Sequence, residues 1–471
     1  MQPSLTIHWF RQDLRLSDNP SLYQASQEGR VLPVYVLEDV TNPQDEMGGA
    51  SKAWLHQSLK QLNDALGGRL IIERGDPLLI LLSLAQQYGA NKVQWNRCYE
   101  PWRIARDTEI KSALSENGVS AESFNGSLLW EPWTVLKDDG TPYKVFTPFY
   151  RKGCLHSAAP SLPLPAPSAE TIAAPTEQHT PIDDLRLMPK LPWARQMLSH
   201  WQIGETAAQQ RLHSFLEDSL SDYKNGRDFP ARRSVSRLSP HLHFGEISPN
   251  QVWHAAQAAP DDKNRDHFLS ELGWREFSYY LLFHNPHLPT QNLQMKFDRF
   301  EWREDEAAFE RWCRGQTGYP LVDAAMRQLW QTGYMHNRLR MVAASFLVKN
   351  LLIDWRKGER WFWDTLVDAD QASNSASWQW VAGCGADAAP YFRVFNPVKQ
   401  GEKFDKDGEF TRKFVPELER MPAKYLHAPW EAPLLVLQEA GVDLGGNYPK
   451  PIVDVKSSRE RALAAFHELA S

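Results

Sequence analysis

Cysteine is scarce in this chain of 471 residues: there are four, at 98, 154, 313 and 384, with no CxxC pair. That spacing excludes a disulfide-stapled secreted scaffold and leaves reduced thiols as the reading. Long apolar runs are missing as well. The longest, Leu78 to Ala85, is too short to cross a bilayer, and the opening text MQPSLTIHWF has neither a basic n-region nor a long apolar core. A soluble, cytoplasmic protein with no membrane partner is expected. No GxGxxG follows the first apolar strand, so dinucleotide binding of the usual Rossmann kind is not supported. Positive charge is not in excess either. The formal net charge of −6 excludes a uniformly basic nucleic-acid binder, but not a local basic face.

Local charge differs from the total. Residues 324–353 contain Arg327, Arg338, Arg340 and Lys349 with no acid, and residues 222–243 set Lys224, Arg227, Arg232, Arg233 and Arg237 against Asp222 and Asp228. These segments make a basic face if they meet in space; otherwise they are solvated surface charges.

The chain exceeds what one hydrophobic core usually serves, so two or three domains are expected. Short apolar segments alternate with helical patterns at the start: LTIHWF (5–10), RVLPVYVL (30–37), RLIIERG (69–75), NKVQW (91–95) and SAESF (120–124). Such alternation predicts a doubly wound parallel sheet, an α/β domain over 1–130. From about Leu155 to Pro192 the composition turns to Pro, Ala and Ser, which predicts an extended linker within 131–198. Beyond it, apolar residues recur at helical spacing in 205–219, 264–284, 304–313, 320–331, 336–354 and 457–470. Pro320 suits a first helical turn and Gly333 separates two helices. An all-α domain over 199–471 follows.

Nineteen tryptophans stand out, most of them from Trp193 onward. An aromatic core accounts for a typical one. It accounts less well for Trp378 and Trp380, which flank Gln379 among small polar residues. In the helix 264–284, Glu271, Trp274 and Arg275 at i, i+3 and i+4 share a face, where an indole and a carboxylate suit a flat heterocycle. The plainer reading is a surface Glu–Arg pair beside a core Trp. Asn337, Arg340 and Met341 repeat the spacing on another helix. Asp368, Asp370 and Asn374 precede the Trp pair; a D-x-D with an amide and Arg340 nearby fits an ion-pair group better than a metal site, and no metal is expected.

Five texts carry a family resemblance: WFRQDLRLSDNP (9–20), ELGWREF (271–277), HNRLRM (336–341), DADQASNSASWQW (368–380), and the run from GADAAPYFRVFNP to GEKFDKDG (385–408). Together they resemble the DNA photolyase and cryptochrome family over nearly the whole chain, in family order. The resemblance implies a Rossmann-like antenna-binding domain followed by a helical FAD-binding domain. It also implies light-driven repair of cyclobutane pyrimidine dimers in DNA by a monomeric enzyme. Tyr223 and the run Ser236, Arg237, Leu238 and Ser239 match the family's FAD phosphate-contacting segment. Arg340 and Asp368 match the ion pair beside the isoalloxazine, Asp370 its ribityl or ring-edge side, and Asn374 the residue facing N5. Glu271, Trp274, Asn337, Met341 and Trp380 match the lesion pocket, and Trp302, Trp355 and Trp378 the chain of tryptophans through which flavin is photoreduced. Arg227, Arg338, Arg393 and Lys403 are the candidates for DNA phosphates.

Two departures bear on subclass and antenna. Where folate-binding relatives carry an Asn-Glu pair, NRCYEPWRIARD (96–107) has Trp102 and Arg103. Methenyltetrahydrofolate is the first expectation for the antenna, with a deazaflavin or another flavin left open. GGASKAWLHQSL (48–59) and LGWREFSYYLLFHNP (272–286) are as similar to the bacterial group near plant cryptochromes, class III, as to class I. A cryptochrome photoreceptor and a (6-4) photolyase are the alternatives. Against the first stands Asn374 with the Trp274 and Met341 pocket; against the second, Asn337 and Met341 stand where that subgroup has histidines.

Overall fold

The five apolar segments of the first domain form β1 (Ser4–Phe10), β2 (Gly29–Glu38), β3 (Ile71–Gly75), β4 (Lys92–Asn96) and β5 (Ser120–Phe124). All pair in parallel in the order β3-β2-β1-β4-β5. Four helices connect them: α1 (Pro20–Glu28), α2 (Gly49–Ala65), α3 (Pro77–Tyr88) and α4 (Pro101–Glu116). Their starts are written locally. Pro20, Pro77 and Pro101 sit in first turns where an N–H has no helical partner, and Asn19 and Asp76 accept from the backbone N–H of Leu22 and Leu78. β1 is buried almost throughout, as a central parallel strand covered on both faces must be. Ile7, Val34, Ile71, Val93, Trp9 and Trp95 form its core with Leu81 and Ile110 from the helices.

The computed structural model describes residues 4–177, 179–388 and 393–469; residues 389–392 of the text GADAAPYFRVFNP lie outside them. The chain divides into two compact units. One comprises residues up to Ser221 with Ser236–Pro286, the other Asp222–Val235 with His287 onward. The Pro/Ala/Ser-rich stretch belongs to the first. It runs extended, but not freely: Val31 donates to the Thr171 carbonyl at 2.8 Å and accepts from Ala173 N–H at 2.7 Å, which buries Ile172 and Ala173 beside β2. β3 pairs with β2 only from Val34 on, so the start of β2 offers an edge that this stretch takes. The text after β1 forms a buried polar web at the point where the strand order reverses. Arg11 pairs with Asp107 at 2.7 Å, Asp13 accepts from Asn96 at 2.6 Å and from Arg11 N–H at 2.7 Å, and Arg15 donates to the carbonyls of Gly126 and Gly245. The same unit contains α5 (Lys263–His284).

The helical unit is built from α6 (Pro320–Thr332), α7 (Asn337–Ser345), α8 (Trp355–Thr365), α9 (Gln371–Ala382) and α10 (Val455–Glu468), with shorter helices between. Pro320 opens α6 and Gly333 closes it at φ 65°, a left-handed turn that favours glycine. The single helix expected over 336–354 is instead α7 followed by a π turn, Phe346–Asn350. Leu352 then takes a φ of 56° before Asp354 caps α8, so the chain turns where apolar spacing alone predicted continuation. Trp312, Trp355, Trp378, Met326, Leu339 and Phe362 share the core.

Candidate functional site

In the helical unit, α7 and α9 carry the polar groups singled out from sequence. Arg340 reaches both carboxylate oxygens of Asp368 through Nη2, at 3.0 and 2.7 Å, and donates from Nε to the Met335 carbonyl at 2.7 Å. Asp368 is almost fully enclosed while Arg340 keeps partial exposure. A charge pair so placed holds its geometry because breaking it strands a buried carboxylate. Asp370 caps α9 by accepting Ser373 N–H at 2.7 Å. Both acids of the D-x-D are thus engaged by protein, one by Arg340 and one by a helix start.

Asn374 is buried one turn later, and its Nδ2 donates to the Glu359 carbonyl at 3.1 Å. Ser375 hydrogen-bonds the Glu359 carboxyl, which burial pushes up to about 8 against the opposing influence of Ser375 and Arg356. Nothing in WRKGERWFW singled out Glu359. Trp378 packs edge-on to Phe362 (5.0 Å) and Trp312 (6.2 Å), and Gly358 leaves it room: a Cβ there would stand 2.2 Å from the indole. Trp355 is fully enclosed, with Nε1 on Asn292 at 3.0 Å, and Trp302 lies half-buried against the same core, 4.5 Å from Phe300. The three tryptophans share that core without direct ring contact among the described residues. Trp380, partly buried, also packs against that core, and its Nε1 donates to the Asp387 carbonyl at 3.0 Å. Asn337 is exposed and Met341 half-buried on α7.

The segment 222–235 supplies Tyr223, buried, with the Arg227 guanidinium 5.4 Å from its ring. Asp228 pairs with Arg338 at 2.8 Å, and Arg338 also lies over Phe404 at 4.5 Å. The two basic segments noted in the sequence do meet here, although an acid of one neutralises a cation of the other. Lys403 and Arg393 are exposed, and the Arg393 carbonyl receives the buried Lys349 ammonium. His336 caps α7 through Nδ1, and burial lowers it to about 4, so the ring is neutral.

In the other unit, Trp274 stacks on Phe146 with centroids 3.8 Å apart and planes at 12°, and Phe146 stacks in turn on Tyr150. Glu271 is half-buried beside His267, whose Nε2 lies 3.8 Å away. Arg275 bonds to Glu276 at 3.1 Å and to the Ser127 carbonyl at 2.9 Å. Glu276, unremarked in the sequence, is enclosed and accepts the N–H groups of Leu129 and Trp130; burial pushes it up to about 7. Arg237 adopts a φ of 54° with its guanidinium 4.2 Å over Trp201, Leu238 is buried and accompanied by Ser236 Oγ, and Ser239 begins a short helix.

A cavity of about 430 Å³ opens at the carboxyl ends of β1 to β3, lined among others by Trp9, Tyr35, Glu38, Trp102, Arg103 and Arg106. This is where open parallel sheets bind ligands. Trp102 and Arg103, the departures noted above, both face it. Its cations have acids close by: Arg106 with Glu38, Arg103 with Glu100, Arg74 with Asp39.

Residues 6–168 match the family model for DNA photolyase, and residues 268–468 that for the FAD binding domain of DNA photolyase. A deoxyribodipyrimidine photo-lyase of Agrobacterium fabrum is 51% identical over 470 residues, covering 98% of this chain and 97% of that one. The chain belongs to the DNA photolyase and cryptochrome family. Within the family, a bacterial class III photolyase from Agrobacterium tumefaciens has a crystal structure that matches with a TM-score of 0.95 at 49% identity, over 100% of this chain and 98% of that one. Cryptochrome-2 of Arabidopsis thaliana is 40% identical over 98% of this chain and 78% of its own length. The similarity to class III and to a plant cryptochrome agrees with the two texts at 48–59 and 272–286.

Proposed function

We propose that this protein is a deoxyribodipyrimidine photolyase that repairs cyclobutane pyrimidine dimers in DNA under light. The observation that carries the reading is the helical unit's Arg340–Asp368 pair, its carboxylate enclosed, with the buried amide of Asn374 on α9, within a stretch matching the FAD-binding domain. Those residues fit a flavin: fixed charge and hydrogen bonding around the ring are what a protein contributes to flavin chemistry. When bound, fully reduced anionic FAD supplies a light-driven electron to the dimer and takes it back, so the cyclobutane ring opens without net redox change.

The chain's own residues bind and orient. Arg340, with Asp368 balancing its charge, presents a fixed cation to the ring; Asn374 offers its amide to N5, and Asp370 and Tyr223 hold the sugar and phosphate side. Ser236 to Ser239 contribute hydroxyls and backbone amides to the phosphates. For the lesion, Trp274 and Trp380 offer flat apolar faces, Glu271 hydrogen-bonds the pyrimidine edge, and Asn337 and Met341 are further contacts. A dimer stacks poorly in duplex DNA, which lowers the cost of extruding it; photolyases are among the base-flipping enzymes from which that general rule is drawn. Arg227, Arg338, Arg393 and Lys403 contact backbone phosphates. Trp378, Trp355 and Trp302 would serve as the aromatic relay toward a bound flavin. The antenna is methenyltetrahydrofolate in the cavity at the sheet's carboxyl ends. Support comes from its aromatic lining and from arginines whose acid partners a folate carboxylate can replace; the absorption spectrum and mass of the extracted chromophore distinguish it from a deazaflavin or flavin.

The test is dimer loss from a thymine-dimer oligonucleotide mixed with reduced protein, in blue or near-UV light and in darkness. Restoration only in light is the expected result. No repair by protein that holds reduced FAD would turn the reading toward a photoreceptor.

A further inference from the structure

Trp274 is the outer end of a stack of three near-parallel aromatic rings, all within the unit that contains the sheet. Its indole lies on Phe146 with centroids 3.8 Å apart and planes at 12°, and Phe146 lies on Tyr150 at 5.6 Å and 7°. Phe146 and Tyr150 stand four residues apart in the helical stretch 146–153, so they share one face of it. Exposure rises along the stack: Tyr150 is 1% exposed, Phe146 is 7% exposed, and Trp274 is only partly buried. The contacts to Phe277 are edge-on instead, at 74° from Trp274 and 64° from Phe146. Two features seat the stack on α5. A Cβ at Gly273 would stand 2.5 Å from the Tyr150 ring, so this glycine, unfavourable inside a helix on its own account, is what lets the ring approach. Arg151, next to Tyr150, is tied to Asp266 of α5 by two hydrogen bonds of 3.0 and 2.7 Å.

We propose that Phe146, backed by Tyr150, is a positioning residue for lesion recognition: it fixes the plane of Trp274 so that the indole is already set for a pyrimidine dimer before DNA arrives. The inference rests on the lesion reading of Trp274. The torsion that sets an indole plane is broad, so the rotamer alone leaves the ring free to swing. A second ring in contact along one face removes that freedom, because turning the indole drives its edge into Phe146. Phe146 is in turn kept from retreating by Tyr150, which the Arg151–Asp266 pair and the gap at Gly273 hold against α5. Binding a lesion then orders one side chain fewer, a cost that is otherwise taken from the affinity. With Phe146 on one face of the indole, a ligand is left the other.

The experiment measures binding of FAD-loaded protein in darkness to a duplex carrying one thymine dimer and to the same duplex undamaged, by fluorescence anisotropy. Wild type is compared with Phe146→Leu, which stays apolar but removes the ring, with Trp274→Ala, and with the two together. Phe146→Leu is expected to weaken dimer binding by roughly twofold to tenfold, the range an aromatic stack is worth, with undamaged duplex bound as before and FAD retained. In light the loss falls on KM rather than on kcat. Added to Trp274→Ala, the same change should cost nothing further, because it acts through that indole. Should Phe146→Leu fail to fold, Gly273→Ala carries the test: it favours the helix but displaces Tyr150, and a smaller loss of the same kind is expected. Unchanged dimer affinity, equal losses on both duplexes, or a loss that persists in the Trp274→Ala background would overturn the proposal. If Trp274→Ala alone binds the dimer as tightly as wild type, the lesion reading of Trp274 is refuted, and the proposal with it.

Discussion

Arg340 and Asp368 show how one pair can be both structural and functional. Asp368 is enclosed, so removing its partner leaves an uncompensated charge. Arg340→Ala is expected to cost roughly 3 kcal/mol in urea unfolding and to abolish retention of FAD through gel filtration. The double change Arg340→Met with Asp368→Leu should recover stability but not FAD, which separates the two roles. For Glu359 the pH dependence has a definite sign. The folded state keeps the proton up to about pH 8, whereas an unfolded glutamate releases it near its ordinary value of about 4.3. The folded protein binds more protons in that window, so this group's contribution to stability falls as pH rises through it and is fully lost above 8. Glu276 acts with the same sign up to about 7. Unfolding at pH 5.5 and 8.5 should therefore show a smaller difference in Glu359→Gln than in wild type. At Trp378, replacement by Phe is expected to block photoreduction of oxidised FAD while sparing repair by protein already reduced; undiminished photoreduction would mean electrons enter elsewhere.

Among the elements, α8 and α9 pack so closely that Gly358 has no room to grow. A methyl there meets the Trp378 ring at 2.2 Å, and both lie inside helices that cannot easily part. Gly358→Ala gains helix propensity but should lose about 1–3 kcal/mol overall through overpacking, read as a lower Tm with altered Trp fluorescence. The strands were legible because alternating helix and apolar strand leaves little choice, and all five expected segments lie on the sheet. The two ends of α6 were legible at Pro320 and Gly333 from local backbone chemistry. The break after Ser345 was not, since periodicity reports burial rather than hydrogen-bond register, and a π turn keeps the residues buried. At the site, Arg340 and Asp368 were legible through the family's texts. The partners of Arg275 and Arg338 were not: helical spacing offered Glu271 to Arg275 while the structure shows Glu276, and Asp228 comes to Arg338 from a remote segment. Glu359 was invisible because a glutamate in a charged helix reads as surface until its neighbours are known.

On the scale of the whole molecule, a chain with net charge −6 must bind DNA through a local field. Arg338 is already paired with Asp228, so if it meets DNA it exchanges one anion for another rather than neutralising a bare phosphate. If Arg227, Arg393 and Lys403 make phosphate contacts, log affinity for a dimer-containing duplex should fall with log salt at a slope of about −0.9 per contact. Removing one of the three should reduce the slope by about one; an unchanged slope takes that residue out of the interface.

The segment 222–235 belongs to the helical unit although it lies between two portions of the other. During synthesis, Asp228 and Phe229 leave the ribosome well before Arg338 and Phe404, the residues they eventually meet. At ordinary elongation rates that delay is on the order of ten seconds. The helical unit is drawn from two separate stretches of chain, so a fragment beginning at His287 would be born without the piece that pairs with Arg338. Supplying residues 222–235 as a separate peptide is the natural complementation.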